Sequence, residues 1–321
     1  MTALRDSVGK LRHWLEQNFD ADGVCSIDPE DSRYYYKTPY LMTMAGMRDR
    51  GARVAHQVMQ RFVDDDGELR SAAALENRIY AMGWLALGGT VVERFDLANL
   101  LADRLEHYQH PDCGGIVIPD AEAGEELGEV CFSGGAGMAL AAVGRLDAAR
   151  RMADTFAALI VEQGRAGCFY NRFRGDGSVF TRKAGGAWDK AYDLAEGEQR
   201  PANFATVVNA LVWTGRGLRE TRCFQSAREY VDLVYRHPQN PAQFGRSTKF
   251  GWAMLNLHAE TGDADLVERA RELAAVLIDK QSADGLWNPQ PGNVANAPAW
   301  SRLAYSSDCA MTVCALANLA D

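Results

Sequence analysis

The 321-residue sequence predicts an all-α protein, a closed barrel of six outer and six inner helices known as an (α/α)6 barrel, or toroid, with short β-hairpin inserts. Three observations carry this prediction. Helix-period segments recur along the chain, they alternate in character between amphipathic and apolar on all sides, and Gly-containing turns separate them at regular intervals. The ring leaves no boundary for a second domain, so residues 1–321 are expected to form one domain.

The amphipathic segments run over 3–18, 51–63, 93–108, 145–163, 219–236 and 264–281. In 145–163, Leu146, Ala149, Met152, Phe156 and Ile160 share one stripe, with Arg and Asp opposite, as an outer helix requires. The intervening segments run over 38–49, 77–89, 132–143, 202–214, 248–261 and 307–320. Stretches such as "FSGGAGMALAAVG" and "DCAMTVCALANLA" carry almost no charge on any face, and such a helix must be covered on every side. An open helical solenoid is the alternative, but segments this apolar fit a closed ring better.

The turns are "DADGV" (20–24), "DDDGEL" (64–69), "DCGGIV" (112–117), "RAGCFY" (165–170) and "SADGLW" (282–287), with "QFGRS" (243–247) a poorer copy. The stretch "CFYNRFRGDGSVFTR" reads as one such turn grown into a hairpin, because Asp-Gly lies between alternating aromatics. It is expected at the end of the barrel where the inner helices begin. The Arg174-Gly175-Asp176 triplet is then the hairpin tip and not an integrin-recognition signal.

"QSADGLW" (Gln281, Asp284, Gly285, Trp287) resembles the Gln-x-x-Asp-Gly-x-Trp turn repeated in squalene and hopene cyclases. "QGRAGCF" is similar to a degraded copy, with Gln163, Gly167 and Phe169 at the same offsets. The chain thus resembles the α/α toroids of the terpenoid-cyclase and prenyltransferase-β type. That resemblance implies a structural role for the Gln and Trp, tying an outer helix to the next turn. "EVCFSGG" and "GCFYNRF" also look similar to the cysteine-opened helix and aromatic strand of linalool dehydratase-isomerase, an α/α barrel that dehydrates and isomerises by acid–base chemistry. The sequence departs from it in placing no histidine at an inner-helix opening. It also lacks the cyclases' Asp-x-Asp-Asp motif, since Asp64-Asp65-Asp66 belongs to a repeat turn.

A net charge of −9 and scattered arginines argue against a nucleic-acid surface. No apolar run reaches the roughly 18 residues of a membrane span, and the N-terminus has no secretory h-region. Seven cysteines without disulfide spacing complete the expectation of a reducing, cytoplasmic setting, with homo-oligomerisation left open. His107-x-x-His110-x-x-Cys113 has ligand-like residues, but Pro111 interrupts it and no fourth ligand is evident, so no metal is expected. No phosphate loop is present, and no cofactor is expected.

The residues opening the inner helices should line the pocket, at the positive ends of the helix dipoles. Catalytic candidates are Asp308, Cys131, Cys309, Tyr36 and Lys37. Candidates for binding substrate are Tyr34, Tyr40, Asn77, Tyr80, Cys168, Tyr170, Arg172, Asp189, Asn203, Lys249 and Trp252. Asp308, after Ser306-Ser307, is either a helix cap or a buried acid. The dipole at an inner opening favours thiolate at Cys131 and Cys309. A tyrosine from 34–36 would orient the substrate oxygen, and the lysines would stabilise negative charge.

These groups suit a cofactor-independent lyase or isomerase acting on a small, largely apolar substrate such as an isoprenoid alcohol. The alternative is carbohydrate chemistry on the same barrel, because the insert also resembles N-acylglucosamine 2-epimerase-like proteins and α/α glycosidases. Trp188, Trp252, Trp287 and Trp300 would then stack on sugars, and Asp189 with Asp308 would form the carboxylate pair. A ligand-holding scaffold is disfavoured, because idle buried polar groups cost stability.

Overall fold

A computed structural model describes residues 2–71, 75–120, 123–181, 191–197, 199–289 and 297–319. The outer helices are α1 (Thr2–Asn18), α3 (Arg48–Arg61), α5 (Phe95–His107), α7 (Leu146–Gln163), α9 (Thr221–Tyr235) and α11 (Ala264–Asp279). The inner ones are α2 (Thr38–Met44), α4 (Leu75–Val91), α6 (Val130–Val143), α8 (Ala202–Leu218), α10 (Phe250–Thr261) and α12 (Ala299–Leu319). Each inner helix packs on the next, and α12 packs on α2, which closes the ring. The outer helices lie against consecutive inner pairs, and α1 covers α12. The fold is the (α/α)6 barrel expected from the alternation.

Burial follows the two helix classes. Helix α6 is buried from Val130 through Leu140, whereas α7 buries one stripe that includes Ala149, Met152, Phe156 and Ile160. Close inner packing depends on small side chains. A Cβ on Gly134 would stand 2.7 Å from the Val207 amide nitrogen of α8, so this residue lets the two backbones approach.

The turns at 20–24, 64–69 and 282–287 share one geometry. In each, a residue's N–H bonds the carbonyl four positions on, as in Asp20 to Val24 and Ser282 to Leu286. Gly23 and Gly285 adopt φ of 84° and 93°, and a Cβ on either would press into the backbone of α3 or α1, respectively. The Gln281 side chain donates to Ser7 O (3.1 Å) and Gly285 O (2.8 Å), while Trp287 Nε1 donates to Leu277 O (2.7 Å). This motif therefore ties α11, its turn and α1 together. In the degraded copy, Gln163 holds both backbone polar groups of Tyr170.

The insert is a hairpin at the end where α6 begins. Strand β4 (Arg172–Arg174) pairs with β2 (Glu125–Glu129), which pairs with β1 (Val117–Asp120), and Val130 N bonds Asn171 O. The tip repeats the toroid turn, with Arg174 N bonding Ser178 O. Its charged residues serve the turn: Arg174 pairs with Glu125 at 2.7 Å, and Asp176 accepts from Ser178 N. Strands β3 (Cys168–Phe169) and β5 (Tyr192–Asp193) form a separate pair.

Two predicted boundaries move: the inner helix expected over 38–49 ends at Met44, with Arg48 already opening α3, and the last inner helix begins early. The last inner helix was expected to open at 307, but α12 starts at Ala299. The Ser-Ser-Asp run reads as a cap because such side chains compete for backbone groups. Here Ser306 Oγ instead accepts from Trp287 N (2.8 Å) and donates to Trp287 O, while Ser307 Oγ donates back to Leu303 O (2.8 Å). Tertiary partners absorb the hydroxyls and the helix runs through them.

Candidate active site

The shift of α12 changes what Asp308 is. It lies nine residues into the helix, about 13 Å along it at 1.5 Å per residue, and caps nothing. Its carboxylate, 16% exposed, accepts from Lys37 Nζ at 2.6 Å and stands 3.7 Å from Lys249 Nζ. The lysines are the residues immediately before α2 and α10. An ammonium at a helix N-terminus opposes the dipole, so an interior carboxylate is the partner both ends favour.

The lysines are 4% and 3% exposed. Burial alone pushes the Lys37 pKa down, but the Asp308 carboxylate outweighs it and the net shift is upward. The same balance raises Lys249. Both therefore stay ammonium groups. Lys37 also donates to Ala304 O at 3.4 Å, and Lys249 donates to Tyr80 Oη at 2.6 Å. Since the Tyr80 oxygen accepts there, its own O–H remains a donor; burial raises its pKa well above the phenol range.

Aromatic rings surround the charges. Lys37 Nζ lies 5.3 Å from the Tyr36 ring, 5.4 Å from Tyr80 and 5.3 Å from Trp84; Lys249 Nζ lies 5.2 Å from Tyr80 and 5.6 Å from Trp84. Trp84 continues into a buried layer with Tyr40 and Trp252. Cation–π attraction helps offset the cost of drying the ammoniums.

The structure thus brings Tyr36, Lys37, Tyr80, Lys249 and Asp308 together, with Tyr40 and Trp252 behind them. Of the three adjacent tyrosines, Tyr36 is the one against Lys37. Tyr35 Oη accepts from Cys25 N (2.9 Å) and bonds Pro29 O, and Tyr34 is buried beside Trp300. Trp84 escaped the sequence reading because it sits mid-helix; its spacing of four from Tyr80 was the available signal.

Other candidates stand differently. Arg172 pairs with Asp120 at 2.6 Å inside the sheet, so its charge has a structural partner. Asn77 is exposed on the first turn of α4. Asn203 is buried on the first turn of α8, and Cys168 and Tyr170 are half-buried on and just after β3. Asp189 and Trp188 lie outside the described residues.

The thiolate expectation fails at both cysteines. Cys131 does open α6, and Lys249 pulls its pKa down, but burial dominates and pushes the thiol up to about 12. Cys309 lies mid-helix and is pushed well up by burial and by Asp308. Alkylation with iodoacetamide at pH 8 is therefore expected to label Cys131 no faster than Cys314, a core thiol raised to a similar value. Faster labelling of Cys131 would mean that the helix dipole prevails.

No group of three or more metal-ligating side chains and no membrane-length apolar helix occurs among the described residues. The seven cysteines are free thiols.

Fold and site together describe an (α/α)6 barrel with a buried, charged cluster at the end where its inner helices begin. No family model and no curated protein matches the sequence. Solved structures do match in fold. An α-1,6-mannanase from Salegentibacter sp. HEL1_6 aligns with a TM-score of 0.65 at 11% identity, covering 98% of this chain and 99% of its own. A D-mannose isomerase aligns at 0.64 and 13%, covering 98% and 97%. The type II terpene cyclase MstE from Scytonema aligns at 0.58 and 14%, covering 99% and 100%.

Proposed function

We propose that the chain is an acid–base enzyme, a lyase or isomerase, whose reaction centre is Asp308 between Lys37 and Lys249. The observation that carries this reading is the Asp308 carboxylate, reached by solvent yet held by two buried ammoniums that belong to different inner helices. Asp308 takes the proton from carbon and relays it, rather than serving as a buried acid in apolar surroundings. The Tyr80 O–H gives a proton to the departing or carbonyl oxygen, and Tyr36 orients that oxygen. Lys37 and Lys249 stabilise the negative charge that develops in between. In an isomerisation Asp308 returns its proton to another carbon and the oxygen returns its own to Tyr80; in a dehydration hydroxide leaves as water with the Tyr80 proton, and the proton on Asp308 is relayed to Tyr80. Cys131 and Cys309 pack as neutral thiols. The rings of Tyr36, Tyr80 and Phe132 offer an apolar wall.

That the barrels it resembles in fold are a hydrolase, an isomerase and a cyclase supports an enzyme without selecting its class. The linalool dehydratase-isomerase type of reaction is one member of the class proposed, and carbohydrate chemistry is the competing reading. Incubation in D2O with a panel of short isoprenoid alcohols and a panel of mono- and disaccharides, read by NMR and mass spectrometry, separates them. Deuterium entering a C–H position, or loss of water, that disappears in Asp308→Asn supports the proposal. Cleavage of a disaccharide with no C–H exchange would replace it with a glycosidase.

A further inference from the structure

The proposed reaction centre carries unbalanced charge. Two ammoniums share one carboxylate, and neither forms an ion pair with a second acid among the described residues. The two ammoniums thus have one carboxylate in contact between them; the next acid, the buried Glu129, caps α6 beside Cys131 and forms no ion pair with either lysine. A buried charge in that state is costly unless the group loses its proton or an anion joins it. Both lysines are held protonated, so the first escape is closed.

The donors are also unspent. Lys249 Nζ gives one hydrogen bond to Tyr80, while Asp308 at 3.7 Å is beyond normal hydrogen-bond reach. An ammonium has three N–H donors. Trp84, whose ring both lysines overlie, has an Nε1–H that is buried and without a partner. The N-termini of α2 and α10 add their own partial positive charges beside Lys37 and Lys249.

We propose that the site takes a small carboxylate with an apolar body, its anionic head seated against Lys249 and its body against Tyr36, Tyr80 and Phe132. This rests on the acid–base reading and sharpens it: the neutral isoprenoid alcohol becomes the lesser substrate. A neutral ligand leaves the extra charge uncompensated, and a carbocation formed there would be repelled by both ammoniums. A carboxylate neutralises the cluster, and an enolate formed beside it gains from the same donors.

Isothermal titration calorimetry with 3-phenylpropionate and the isosteric 3-phenylpropan-1-ol tests this. The wild-type chain is expected to bind the carboxylate at least about ten-fold more tightly than the alcohol, with a preference that shrinks as salt is added. Lys249→Met should remove the preference, with Lys249→Gln as the second variant. Asp308→Asn should strengthen carboxylate binding, because it deletes the competing anion, even though it slows turnover by orders of magnitude in the acid–base reading. Equal binding of the two probes to wild type, a preference for the alcohol, or binding of neither, overturns the proposal. The acid–base reading fails separately, if C–H exchange survives Asp308→Asn.

Discussion

Replacing Asp308 by alanine should lower the unfolding free energy by about 3–5 kcal/mol, because it strands two buried ammoniums without their carboxylate. The size of the loss follows from burial: Lys37 and Lys249 are 4% and 3% exposed, so water does not easily re-solvate them. Adding Lys37→Met to Asp308→Ala should restore about 1–2 kcal/mol, since one stranded charge is then removed and its stem volume is kept. Urea unfolding of the three proteins measures both changes. Asp308→Asn keeps a hydrogen-bond acceptor and should cost less stability, yet it should reduce turnover by about 10²–10⁴-fold through loss of proton transfer. An Asp308→Ala chain as stable as wild type would show that the ammoniums are not dry.

Trp287→Ala is expected to cost about 3–5 kcal/mol as well, through a different mechanism. The ring is 1% exposed, and its indole N–H is satisfied by Leu277 O at 2.7 Å. Removing it opens a cavity beside α11 and takes from Leu277 O one of its donors, leaving it the Lys280 N–H at 3.1 Å. Because Ser306 binds both backbone polar groups of Trp287, the damage should also reach the helix that carries Asp308. Trp287→Phe keeps most of the apolar area and loses the hydrogen bond, so about 1 kcal/mol is expected beyond the size change. The degraded copy already lives with that arrangement: Phe169 takes the corresponding place and packs edge-on against Phe204 and Tyr230. Thermal unfolding that leaves Trp287→Ala within a degree of wild type would remove the structural role given to this turn.

Much of the architecture was legible because helix type is written in charge distribution. The uncharged run of α6 and the single apolar stripe of α7 can each be satisfied in only one layer of a double ring. Gly23, Gly67, Gly114 and Gly285 were legible as turn residues because a Cβ on any of them would collide with an outer helix. The site was legible in part. Lys37, Lys249 and Tyr80 sit at or near helix openings, where convergence is geometrically required. Asp308 was found for the wrong local reason, since its serine neighbours bond to Trp287 and Leu303 instead of starting a helix. The structural partner of Arg172 was not legible, because Asp120 is 52 residues away and only sheet pairing brings the two together. The thiols were misjudged because a dipole can be read from position, whereas the depth of burial at Cys131 cannot.

The closure of the ring by α12 on α2 has a consequence for how the protein comes to be made. Lys37 and Asp308 are 271 positions apart, so the cost of closing a very long loop must be met before their ion pair can reward it. Until α12 docks, the Lys37 ammonium lacks its carboxylate partner. Docking of α12 is therefore expected to come late in folding, and a chain lacking α12 is expected to unfold at lower denaturant than one that has it.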